Sequence, residues 1–189
     1  MIANFKKIET FTREEIAGLI AQQHKALDES LELVGEHLGT RGENQWDLVG
    51  VDKEGRLVLI AVEVHAADKI LSQLLSRLDW AWEHLATIAG MYAAHKIDCD
   101  QLPRICILAP SYSPYFTKSI SYLHYRVSIQ LFTYQYLQTD TARGLLVEQL
   151  EIKVKYDRML KSDSRKNKSL EPPAAAKVTT EEIMEFLQG

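Results

Sequence analysis

The sequence is poor in the residues that announce a secreted, membrane or metal-knuckle protein. It holds 2 cysteines in 189 residues. Neither Cys99 nor Cys106 has neighbours that suggest a metal knuckle, so both read as reduced thiols of a cytoplasmic protein. No apolar run approaches the roughly 18 residues that a membrane span needs, and no membrane partner is expected. The opening stretch, MIANFKKIETFTREE, lacks an apolar core, so no export signal is expected either. The six histidines show neither an HExxH motif nor paired ligand spacing. There is no Gly-rich phosphate loop, nucleophile elbow or dinucleotide fingerprint, which argues against the α/β enzymes built on those motifs. A basic excess is missing too. The net charge of −4 argues against a general nucleic-acid coat protein, while leaving room for a local basic groove.

What is present is ordinary globular material, 46% hydrophobic and 25% charged. Residues 1–155 carry the apolar patterning of one domain. Residues 156–178 are charged and then rich in Pro and Ala, which reads as a linker. Residues 179–189 read as a short amphipathic helix with Ile183, Met184, Phe186 and Leu187 on its sticky face. That face is expected to dock on the body of the chain, on a protein partner or on a second copy of the chain.

The stretch from Trp46 to His65 organises the rest. Asp47, Val49 and Val51 alternate onto one side of a strand. Asp52-Lys53-Glu54-Gly55 supplies a tight, solvated turn in which Gly55 is free to take a positive φ. Leu57 to Val64 is a nearly unbroken apolar run, as a strand buried on both faces should be. Glu63 near its end and His65 two residues later point the same way. A carboxylate there is costly unless paired. A metal ion answers that cost, and so does Lys69, Arg77, Arg104 or a helix N-terminus. For Asp47 the plainer account is a strand-edge acid that faces solvent or caps a turn.

Thr12 and Glu15 have capping-box spacing, so a first helix starts there, with Ile16, Leu19, Ile20 and Leu27 at helical spacing. It either breaks near Asp28 or continues through Leu31 and Val34. From Lys69 to about His95 a wide apolar stripe predicts one long helix, with Trp80, Trp82 and Tyr92 packed on a sheet. Arg104 to Ala109 reads as a strand, Phe116 to Leu123 as a helix, and Ser128 to Tyr136 as a strand. The period over Leu145 to Ile152 fits strand and short helix equally.

Strands alternating with helices argue for a mixed α/β sheet. With these residues in hand, the chain resembles the restriction-endonuclease-like superfamily, the PD-(D/E)xK nucleases, over roughly residues 10–138. The resemblance rests on Asp47-Leu48, the Asp52-x-x-Gly55 turn, Leu57-Val58 and Glu63-Val64-His65. It implies a three-layer core, a central mixed β-sheet flanked by helices. It also implies that Asp47, Glu63 and the Val64 carbonyl hold Mg2+ or Mn2+, which suit oxygen ligands, for cleavage of DNA phosphodiesters. Gln73 on the next helix would assist, and Glu15 or Glu32 would complete the shell. The chain departs from the pattern at His65, which stands where the family has Lys. A neutral imidazole is no permanent cation, although it can act as a general base or bind Mn2+ or Zn2+. Lys69 is the nearest replacement in sequence. The same departure fits a catalytically inactive relative that serves as a nucleic-acid- or protein-binding module.

Overall fold

A computed structural model describes residues 6–40, 44–65, 70–123, 127–139 and 142–152. Lys69, the linker and the terminal helix fall outside the described residues. Among those described, a seven-stranded sheet forms the middle layer, with strands β1 (Lys6–Lys7), β2 (Glu32–Leu38), β3 (Trp46–Val51), β4 (Leu57–Val62), β5 (Arg104–Ala109), β6 (Ile129–Gln138) and β7 (Arg143–Leu150). The order is β1-β6-β5-β4-β3-β2, with β7 also paired to β6. The β2–β3–β4 portion is antiparallel and β4–β5–β6 is parallel, so the sheet is mixed.

The helices lie on both faces. Helix α1 (Arg13–Gln23) starts at the Thr12 capping box, where Thr12 Oγ1 accepts from the Glu15 N–H and Glu15 accepts from the Thr12 N–H. Its buried Ile16, Ala17 and Ile20 share a core with Leu48, Val58, Ile60 and Val62. The other face carries α2 (Leu71–Glu83), α3 (Leu85–Met91) and α4 (Pro114–Leu123), whose Leu74, Leu78, Leu85, Ile88, Phe116 and Ile120 pack on Val49, Leu57, Leu59 and Ile107. The expected three-layer α/β arrangement with a central mixed sheet is therefore present. Strands β3, β4 and β5 are buried along their whole length, which accounts for their apolar composition.

Several expectations are corrected. Leu31 to Val34 does not continue the first helix, because residues from Glu32 form β2 against β3. The long helix is two helices with a break at His84, whose ring nitrogen Nδ1 lies 2.8 Å from the Trp80 carbonyl. Trp82 is exposed and does not pack on the sheet, while Trp80 and Tyr92 do. The apolar run after Gly55 pairs as a strand only to Val62. The ambiguous stretch near Leu145 is a strand antiparallel to β6. Asp52 is not solvated. It is buried, and its Oδ1 accepts from the N–H groups of Glu54 and Arg56.

Candidate functional site

Asp47 sits at the start of β3 and Glu63 just beyond the end of β4. The two strands are antiparallel, so these acids share one end of the sheet. It is also the end where the parallel strands β4, β5 and β6 finish, the usual place for ligands in open α/β sheets. The Glu63 N–H donates to the Leu108 carbonyl at 2.8 Å. The Tyr134 hydroxyl donates to the Glu63 carbonyl at 2.8 Å, fixing the backbone on which the side chain stands.

The regular β3–β4 pairing runs from Val51↔Leu57 to Leu48↔Ile60 and stops before Asp47. The Val62 N–H donates instead to Asp47 Oδ2 at 2.7 Å. Asp47 is almost fully buried, and a buried ionised carboxylate needs strong partners. The main one is Arg13, the first residue of α1. Its Nη2 donates to Asp47 Oδ2 at 2.7 Å, and its Nε lies 2.6 Å from Oδ1, a charge contact off the hydrogen-bonding line. Sequence reasoning treated Asp47 as a solvent-facing acid or a metal ligand and missed Arg13. Its signal was a cation in the first turn of a helix, where the dipole disfavours positive charge unless an acid lies opposite.

Glu63 is half-buried. Burial raises its pKa above the ordinary carboxylate value, against the pull of Arg13 and Arg77, and the Asp47 charge raises it further. Arg77, a buried residue of α2, is one of the three cations expected as its partner. Burial and the like charge of Arg13 lower the Arg77 pKa, while Glu63 and Asp47 work the other way. Burial works against charged Arg13 as well, but the hydrogen bond and charge of Asp47, with Glu63 behind them, leave its pKa raised. Two cations and two acids thus meet at the sheet end, with one arginine supplied from each helical layer.

The remaining candidates are less central. His65 is exposed. Gln73 is exposed on α2, one turn before Arg77. The Glu15 carboxylate is engaged by the Thr12 N–H. Glu32 lies on β2, 3.3 Å from His95, and not on a helix near the site. Arg104 pairs with Asp28 at 2.8 Å, not with Glu63.

Asp47, Glu63 and the Val64 carbonyl offer the hard oxygen donors that Mg2+ or Mn2+ prefers. As arranged, they do not fit such an ion. Both Asp47 oxygens face Arg13, and one also accepts from Val62. Among the described residues no group of three or more His, Cys, Asp or Glu is gathered that could hold a metal.

A groove of about 980 Å³ opens nearby, lined by Lys6, Lys7, Tyr136, Arg143 and, from the first turn of α1, Glu15. Among the described residues no helix is long and apolar enough to cross a membrane.

No protein-family model matches the chain, and no curated protein matches it. Solved structures do. A repair endonuclease from Pyrococcus abyssi superposes with a TM-score of 0.40 at 18% identity, over 66% of this chain and 48% of that one. The EndoMS–dsDNA2 complex gives 0.41 at 13% identity, over 69% and 48%. EndoMS in its apo form gives 0.38 at 14% identity, over 65% and 46%. The chain spans about half the length of the solved structures it matches. Superposition at this level carries no assignment of family.

Proposed function

We propose that the chain binds DNA through its phosphodiester backbone at the Asp47–Glu63 end of the sheet, as a nuclease-like module that does not cut in this arrangement. The observation that carries the reading is the pairing of Arg13 with Asp47. It spends the guanidinium on the carboxylate that a metal would need, so the site keeps its shape without a metal. The phosphate contacts fall to exposed Lys6, Lys7 and Arg143 of the groove, which Glu9 and Glu15 also line. Such exposed cations suit phosphate, whose binding releases counterions and weakens with salt.

Anisotropy titrations of a labelled duplex in EDTA test this. Binding is expected to weaken linearly on a log–log salt plot. The triple variant K6A/K7A/R143A should bind more weakly, with a slope smaller by about 2–3, near 0.9 per lost contact. No binding at low salt overturns the reading.

A second reading, a divalent-metal-dependent nuclease, is favoured by Asp47 and Glu63 sharing one end of the sheet, with the Asp47 charge felt at Glu63. Here Asp47, Glu63 and Val64 would hold Mg2+ or Mn2+, with His65 and Gln73 assisting, and Arg13 would have to leave Asp47. DNA cleavage that requires Mg2+ or Mn2+ and is abolished in Glu63→Ala would establish it over the first. Association with a second copy or a protein partner through residues 179–189 belongs to the same proposal. Light scattering of the chain with and without residues 156–189 tests it.

A further inference from the structure

We infer that the Arg13 guanidinium fills the cation position beside Asp47, closing the wild-type site to divalent metal. The inference deepens the DNA-binding reading and rests on the same sheet end being functional. A carboxylate at the strand end needs a positive partner, and a guanidinium is a permanent one. Arg13 donates from Nη2 to Asp47 Oδ2 at 2.7 Å and holds its Nε 2.6 Å from Oδ1 as a charge contact. The Val62 N–H takes another lone pair of Oδ2. An incoming metal would have to displace the guanidinium or share an already bonded oxygen.

The placement of Arg13 is built in. The Thr12–Glu15 capping box fixes where α1 begins, and fully buried Ile16 and Ile20 fix how it lies on the sheet. Arg13 therefore enters at a set height above Asp47, which a long surface side chain would not. Arg77 reinforces the exclusion, because a divalent ion between the acids would face a second positive group from α2. The chain also lacks a permanent cation at position 65. Arg13 supplies one from a different element.

A plain structural tie between α1 and β3 would look similar, but it predicts a different result. Mn2+ binding to the full chain, followed by the loss of the free-ion EPR signal, separates the two. Wild type is expected to bind Mn2+ weakly. Arg13→Gln should bind on the order of tenfold or more tightly, since one unit of positive charge has left a poorly screened site. Adding Asp47→Asn to that variant should abolish the gain. Arg13→Lys keeps a charge without the planar guanidinium and should fall between; it also serves if Arg13→Gln does not fold. Wild-type binding as tight as in the variants, lost on Asp47→Asn, overturns the inference. So does the absence of any gain in both Arg13 variants. DNA binding in EDTA is read separately, so failure of the DNA reading leaves the metal result interpretable.

Discussion

Arg13 and Asp47 lie 34 residues apart in sequence and meet at 2.7 Å, joining the first turn of α1 to the first residues of β3. The acid is buried and the arginine about a third exposed. Removing the arginine strands a buried charge, the costly half of a broken pair. Arg13→Ala is expected to lower stability by about 1–3 kcal/mol, discounted for the exposure of the guanidinium. Urea unfolding at neutral pH measures it. A double-mutant cycle with Asp47→Ala should show the two losses to be strongly non-additive.

Glu63 gives a pH signature of the opposite sign from an ordinary paired acid. Its pKa is raised in the folded chain, chiefly by burial. The unfolded chain therefore releases this proton first. Stability from this group is fully present below the unfolded value and is lost as pH rises through the folded one. Glu63→Gln should raise the urea midpoint at pH 7 and leave it nearly unchanged at pH 4. An equal effect at both pH values would contradict the burial of this carboxyl.

Asp28 behaves in the reverse way. Burial works against its charge, yet two hydrogen bonds from Ser30 and the Arg104 pair hold it down to about 2. Its stabilisation is present above the unfolded value and disappears as pH falls from there through about 2. Asp28→Asn should flatten the acid limb of the stability profile, read as unfolding midpoints between pH 5 and pH 2.

Gly50, next to the last residue of β3, leaves no room for a side chain. An added Cβ would meet Leu31 Cδ1 at 2.6 Å and the Glu32 carbonyl oxygen at 2.8 Å. The backbone oxygen cannot move without breaking the β2–β3 ladder. Gly50→Ala is expected to cost about 1–3 kcal/mol, measured by thermal or urea unfolding.

Much of the core was legible because it follows from burial alone. The runs at Leu57–Val62 and Arg104–Ala109 are mainly apolar on both faces since each strand is buried throughout and contributes to both core clusters. The Asp52–Gly55 turn was legible because Gly55 must take φ +81°. Strand β2 was not, since Glu32-Leu33-Val34-Gly35-Glu36 has neither a clean strand nor a clean helix period and gains its order from pairing with β3. Of the site, the two acids could be picked out by position. Arg13 could not, because pairing across distant elements leaves no local spacing, whereas Arg77 was among the cations expected beside Glu63. Arg77 did leave a trace. It lies three residues after buried Leu74 and four before buried Ala81, on the apolar side of α2, where a solvated cation would be out of place.

The end of the sheet opposite Asp47 is secured as firmly as the end that holds it. Arg104 lies between Asp28 and Asp52, and the Asp98 N–H donates to the Gly55 carbonyl at 2.8 Å. The hairpin tip at Lys53 and Glu54 looks like a convenient surface loop for an epitope tag or a circular permutation. It is a poor choice, because a graft there would pull on Asp52 and uncouple three segments at once. Deuterium uptake at the Arg56 and Asp98 amides should accordingly be slow for residues so close to a turn.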